Sequence, residues 1–332
     1  MTFDELIELS PTYEIRNAFI KSYAKIKNGY YEKIMVSVSG GSDSDVLIDF
    51  IERIGYKAGT VQYVFFNTGM EFEATKNHLD YLEQKYGVKI HREKAVVPVP
   101  LGCKKYGVPF LSKQVSEFIS RLQRHNFTWE DKPFDELYKQ FPKCKAALRW
   151  WCNEFGEKSR CNISNWKYLK QFMIENPPDI LISCGCCIGA KKKTAHAIAK
   201  KYEPDLDVQG VRKAEGGARS IAYTSCFDDV FGGCDRFRPI FWFKEADKNA
   251  YNEKFCITNS DCYSVYGLNR TGCACCPFGS EFEKELEAAK QYEPLLYKAA
   301  NKVFGKSYEY MRKYRNFKKE MERSNVSNYQ ND

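Results

Sequence analysis

The chain has 332 residues, 43% of them hydrophobic and 15% aromatic, and a formal net charge of +8, enough apolar material for one large core or two modest ones. Met1 to Leu6 carry early acids and no long apolar run, and no stretch approaches the roughly 18 apolar residues of a membrane span, so neither signal peptide nor transmembrane helix is predicted and a cytoplasmic location is expected. Fourteen cysteines in such a chain speak against a disulfide framework and for metal or redox chemistry, while the positive charge permits a polyanionic partner without requiring one.

A helical segment is expected over residues 1–30. An apolar run (Ile34, Met35, Val36, Val38) then predicts a strand, and Val46, Leu47, Phe50, Ile51 and Ile54 recur at helical spacing. Between strand and helix lies Ser39-Gly40-Gly41-Ser42-Asp43-Ser44. Its two glycines let the backbone pass close to an anion. The amides of the helix start and the hydroxyls of Ser39, Ser42 and Ser44 can donate to phosphate oxygens. This is neither the Gly-x-x-x-x-Gly-Lys-Ser/Thr loop nor the three-glycine dinucleotide fingerprint.

A second β-like run, Tyr63 to Phe66, ends in Asn67-Thr68-Gly69-Met70-Glu71, and a helical segment through Phe72, Leu79 and Leu82 follows. A third strand is predicted at Val88 to His91. A fourth, buried strand at Ile180 to Ser183 would deliver the chain to Cys184-Gly185-Cys186-Cys187, after which Lys191 to Lys200 reads as a basic-faced helix. Strands alternating with helices predict an α/β fold, a doubly wound, mostly parallel sheet over residues 31–280. Ligands in such sheets sit at the carboxyl ends of the strands, where both turns fall.

Within that domain, residues 115–178 read as a helical insertion with Trp129, Trp150, Trp151 and Trp166 among Arg121, Arg124 and Arg149. Such residues can stack bases and hold phosphates, or the indoles can pack a small helical lid. From 281 to 332 a charged helical extension is expected, with Leu286, Leu295, Leu296 and Tyr297 as its apolar face and a disordered tail from Ser324 to Asp332.

Cys186-Cys187 and the distant Cys273-Ala274-Cys275-Cys276 supply four thiolates, Cys186, Cys187, Cys273 and Cys276, a sulfur-only set that suits zinc or an iron–sulfur cluster. Adjacent cysteines make poor zinc knuckles, so the arrangement favours a 4Fe-4S cubane. Cys184 and Cys275 are neighbours able to replace a ligand or to stay free. Cys226, Cys234, Cys256 and Cys262 are irregularly spaced and read as scattered thiols.

Ser39 to Ser44 resembles the pyrophosphate loop of the ATP pyrophosphatases and their sulfonucleotide reductase relatives. Together with Asn67-Thr68-Gly69-x-Glu71, Cys186-Cys187-x3-Lys191, Gly210-Val211-Arg212-x-x-Glu215-x3-Arg219 and Arg270-Thr-Gly-Cys-x-x-Cys-Pro, it makes residues 33–280 similar to the phosphoadenosine phosphosulfate reductase family. The resemblance implies an adenine nucleotide, ATP or an adenylyl sulfate, held by Ser39 to Ser44, by Asn67, Thr68, Gly69 and Glu71, and by Gly210 and Arg212. It also implies a 4Fe-4S cluster on the four cysteines. Asp43, Lys191, Arg212 and Arg219 are the implied catalytic set, with Asp43 facing a Mg2+ ion.

Two departures from the family pattern bear on activity. No cysteine or histidine follows Cys276, where the reductases carry their nucleophile. Ala190 and Glu215 also stand where the pattern has Arg and Gln. The resemblance therefore leans to relatives that cleave ATP to AMP and pyrophosphate so that sulfur can enter a DNA or RNA acceptor, drawn from a cysteine desulfurase or another sulfur donor. A sulfonucleotide reductase and a non-catalytic nucleotide-binding subunit are the alternatives, and the oligomeric state is left open.

Overall fold

The computed structural model describes residues 1–216 and 222–329, with side chains to residue 324. They form two compact units, one of residues 1–96 and 190–274, the other of residues 97–189 and 275–332.

The first unit is built on a six-stranded sheet of β1 (Ile34–Val38), β2 (Val61–Asn67), β3 (Ile90–Lys94), β4 (Leu206–Gln209), β5 (Phe227–Asp228) and β6 (Asp235–Phe237). Its order is β3-β2-β1-β4-β6-β5. Every pairing is parallel except that of β5 with β6. Val36 sits opposite Tyr63 on one side and Val208 on the other. In β1 only Ser37 is not buried, as expected of a strand covered on both faces. Ile34, Val36 and Val38 pack with Leu47, Ile48 and Ile51 of the helix Ser42–Ile54, while Met35 and Val64 meet Ile198 on the opposite face.

The helix Ser42–Ile54 is itself buried from both sides, because Val46, Phe50 and Ile54 pack on Ile15, Ala18 and Phe19 of the helix Tyr13–Ser22 and on Tyr251 and Phe255. The Phe19 and Phe50 rings stack with centroids 4.1 Å apart. The chain runs from β1 outward to β2 and β3, then returns to lay β4 on the other flank of β1. Strand order therefore reverses between β1 and β4, and the loop 39–44 leaves the carboxyl end of β1 at that switch point.

Two expectations fail. Ile180 to Ser183 is not a strand of the sheet: Ile182 makes a single bridge to Val108 inside the second unit, and Leu181 is 64% exposed. Pro177 and Pro178 precede it and supply no donors, so the short apolar run cannot extend into a ladder. The strand beside β1 is instead Leu206-Asp-Val-Gln209, too short and polar to stand out, entered by Asp205, whose carboxylate accepts the Glu32 and Lys33 amides. The tail expected to be disordered from Ser324 is helical, as part of Pro294–Tyr329. Lys, Glu, Met and Arg dominate residues 318–323 without glycine or proline, so the helix has no reason to stop there. Residues 330–332 lie outside the described residues.

In the second unit Trp150, Trp151 and Trp129 are buried, with Trp129 and Trp151 edge-on to Phe127. These three indoles are core, which settles their part of the choice between base stacking and packing; Trp166 is half-buried.

Phe50→Ala is expected to destabilise the first unit by about 3–5 kcal/mol, since it empties a fully buried ring position between two helices. Denaturant unfolding followed by circular dichroism measures the loss.

Candidate nucleotide site and cysteine group

Gly40 leaves β1 at φ +68°, the left-handed region, and a Cβ there would stand 2.6 Å from Thr75 Cγ2, so both conformation and space require glycine. Gly41 returns to extended backbone. The Ser44 hydroxyl donates to the Gly41 carbonyl at 2.7 Å and accepts from the Gly41 amide at 3.1 Å, which pins the turn closed. Ser44 is thus committed to the loop itself. The Ser42 amide, first of the helix, donates to the Tyr263 hydroxyl at 3.1 Å. Thr271 also crowds the loop, 2.8 Å from where a Gly41 Cβ would be.

Cations converge on the loop from two directions. Arg212, buried at the end of the β4 segment, donates from Nε to Asp43 Oδ1 at 2.8 Å. Lys248 Nζ lies 3.7 Å from the same oxygen and 3.4 Å from Ser42 Oγ. Glu245 binds both, at 3.0 Å to Arg212 and 2.8 Å to Lys248. β4 is brought this near because Gly210 has no side chain, as a Cβ would sit 3.2 Å from the Asp43 carbonyl oxygen. Glu215 accepts the Arg212 amide at 3.1 Å and so holds the turn that aims the guanidinium.

The second turn is organised from within. Glu71, 8% exposed, accepts from the Thr68 amide at 2.7 Å, the Gly69 amide at 3.0 Å and the Thr68 hydroxyl. Asn67 Oδ1 takes the Gly69 amide at 3.0 Å. Both carboxylate oxygens of Glu71 are therefore used in shaping the turn. Thr68 Oγ1 lies 3.5 Å from Cys273 Sγ, and the Ala274 amide donates to the Met70 carbonyl at 2.6 Å, so Cys273 belongs to this turn.

The first unit thus gathers Ser39 to Ser44, Gly210 and Arg212 in one place, and Asn67, Thr68, Gly69 and Glu71 in a second turn at the end of β2. Lys191 is exposed on the π-helical turn Ile188–Lys192. Arg219 lies outside the described residues. Sequence reading missed Lys248, Glu245 and Tyr263. Glu245-x-x-Lys248 has the spacing of an ordinary surface ion pair, and nothing local marks Tyr263; Thr271 was signalled only as part of Arg270-Thr-Gly.

Asp43 is held above the usual carboxylate range: burial raises it, and Arg212 and Lys248 pull it back only in part. In the second unit, burial and Glu117 push the Cys184 thiol up to about 11. Cys186 is raised further, first by a thiol hydrogen bond with Cys103. Cys275 is raised by burial and by Glu285. Cys256 is exposed, and none of the fourteen cysteines is in a disulfide. Among the described residues no three His, Cys, Asp or Glu side chains form a group able to hold a single metal ion. A cubane differs in taking one thiolate per iron. Cys186, Cys187 and Cys276 belong to the second unit, and the sulfur-only chemistry of that set fits such a cluster.

The profile of the phosphoadenosine phosphosulfate reductase domain matches residues 33–278. The chain belongs to that family. An uncharacterized protein of Methanocaldococcus jannaschii is 38% identical over 118 residues, 32% of this chain, and the chain covers only 22% of that relative's length. Two solved structures are similar at low identity. Phosphoadenylyl-sulfate reductase from Candida auris is 13% identical with a TM-score of 0.40, over 82% of this chain and 93% of the other. The U34-tRNA thiolase NcsA from Methanococcus maripaludis, solved with its [4Fe-4S] cluster, is 11% identical with a TM-score of 0.37, over 96% and 78%.

A carboxyl whose pKa is raised by folding contributes stability that is fully present below its unfolded pKa of about 3.9 and is lost as pH rises through the folded value. Relative to Asp43→Asn, the parent is therefore expected to lose stability as pH rises from about 4 toward neutrality. Urea midpoints of the two proteins across that range check the sign.

Proposed function

We propose that this family member binds ATP at the loop 39–44 and cleaves it to AMP and pyrophosphate, adenylylating an acceptor, DNA or RNA, for sulfur incorporation. The observation that carries the reading is the convergence of Arg212 and Lys248 on a glycine turn at a helix N-terminus, a setting for a polyanion that leaves. In this reaction an acceptor oxygen attacks the α-phosphorus, the bond to the β-phosphate oxygen breaks, and pyrophosphate departs. A sulfur nucleophile later displaces AMP.

The glycine turn leaves room for the departing phosphates, and the Ser39 and Ser42 hydroxyls hold them. Arg212 and Lys248, with Arg219 and Lys191 as further candidates, offset the charge that develops as the bond breaks. Asp43 positions both cations and is the loop carboxylate that would meet Mg2+, one of its oxygens being already held by Arg212. Asn67, Thr68 and Gly69 form the adenosine side of the site, and Glu71 keeps that turn in shape. A 4Fe-4S cluster, when bound by the cysteines of the second unit, would supply the site that takes up sulfur. The family match over residues 33–278 favours one other reading, reduction of an adenylyl sulfate.

The test is pyrophosphate release from ATP by anaerobically purified protein with DNA and RNA as acceptors. Asp43→Ala and Ser42→Ala are each expected to lower it by on the order of 10²-fold, the loss typical of removing one electrostatic contact to a transition state. Sulfite release from adenylyl sulfate compounds, with ATP inert, would instead establish the reductase.

A further inference from the structure

We infer that an exposed row of lysines on the C-terminal helix is a docking surface for the phosphate backbone of double-helical RNA. The inference rests on the acceptor half of the proposed function, a nucleic acid, and not on ATP cleavage.

The helix Pro294–Tyr329 carries six lysines and three arginines against three glutamates. Its apolar side is spent inside the second unit. Phe304, Tyr308, Met311 and Tyr314 are buried, and the helix packs on Val99–Tyr106, Leu169–Glu175 and Phe282–Tyr292. The cations divide in two. Arg312 and Arg315 turn to Glu283 of the neighbouring helix, Arg312 through hydrogen bonds at 3.0 and 2.8 Å, and Lys318 lies 3.9 Å from Glu322. Lys298, Lys302, Lys306 and Lys313 are exposed, and none of the four has an ion pair among the described residues.

At about 100° per residue these four fall within one arc of roughly 80°, and they span about 22 Å of the helix axis. Lys298, Lys302 and Lys306 stand four residues apart, like charges in the arrangement that destabilises a helix. Glu309 is the one acid between Lys298 and Lys313. A solvated face built for stability alone would alternate signs at this spacing, so the row carries a repulsion that a polyanion relieves.

The surroundings of the row select the form of that polyanion. Phe304, Tyr308, Tyr310 and Tyr314, which could stack unpaired bases, are all buried, so a single strand would find only charge. The helix cannot enter the wide major groove of B-form DNA, because neighbouring helices cover its other sides. One exposed face can lie only along the edge of a groove. In A-form RNA the major groove is narrow and brings the phosphates of two strands face to face, so a straight row of ammonium groups meets both.

The full chain is titrated by fluorescence anisotropy into a labelled RNA duplex of about 16 base pairs, its single strand, and the DNA duplex of the same sequence, between about 50 and 200 mM salt. The parent is expected to bind the RNA duplex about tenfold tighter than the other two. Replacing Lys298, Lys302, Lys306 and Lys313 together by Gln keeps good helix formers at exposed positions. It is expected to weaken RNA binding on the order of 10²-fold at the lower salt and to flatten the salt slope by about 3. Replacing the same four by Arg is expected to preserve binding. Replacing Lys57, Lys89, Lys200 and Lys254, exposed lysines of the first unit, by Gln removes equal charge and is expected to leave affinity within about twofold. Equal loss in both Gln variants, equal affinity for the DNA duplex, or a parent that binds no duplex overturns the inference. Row-dependent RNA binding without pyrophosphate release sustains it and sinks the ATP reading; RNA-dependent pyrophosphate release that the row variant leaves unchanged does the reverse.

Discussion

The ion pair between Arg212 and Asp43 is the contact on which the candidate nucleotide site depends. It joins the turn after β1 to the segment after β4, residues 169 positions apart, at the point where the sheet reverses its strand order. Gly210 eases that approach, since a Cβ there would stand 3.2 Å from the Asp43 carbonyl oxygen. Once those two strand ends are locked, Lys248 and Glu245 complete a charged wall beside the helix start, and Tyr263 and Thr271 close over the glycine turn. Burial of Asp43 works against the fold while its charge serves the loop, a trade between stability and function that structures tolerate where a ligand is bound.

Carboxylates around this site divide the labour by what they accept. Glu71 and Glu215 are consumed by backbone amides and act as scaffolding for their turns. Asp43 and Glu245 face cations instead, and so tune how much positive charge is available to an incoming polyanion. Substitutions in the first pair should disturb geometry, those in the second electrostatics.

The second unit is held by a different principle. Its tryptophans make a conventional aromatic core, and its glycines bring one backbone segment onto another. Small residues at Gly102, Gly185 and Gly189 are steric conditions for that approach, much as Gly210 is for the nucleotide loop. In both units the decisive residues are the ones with no side chain.

By itself the sequence determined the local architecture of the loop: an apolar run, two glycines, hydroxyls and an amphipathic helix specify strand, phosphate turn and helix through short-range sterics and periodicity. The alternation of such units also determined the α/β class, and the ordered motifs determined the family. Tertiary structure alone decided which strand lies beside β1. Ile180 to Ser183 has the stronger apolar signal, but the less conspicuous Leu206 to Gln209 occupies the ladder. Packing likewise decided that Ser44 and Glu71 serve their own turns and that Lys248 and Tyr263 reach the loop. The reason is the same in each case. Periodicity and turn chemistry are written in neighbouring residues, whereas these partners are distant in the chain and are brought together only by burial and close backbone approach.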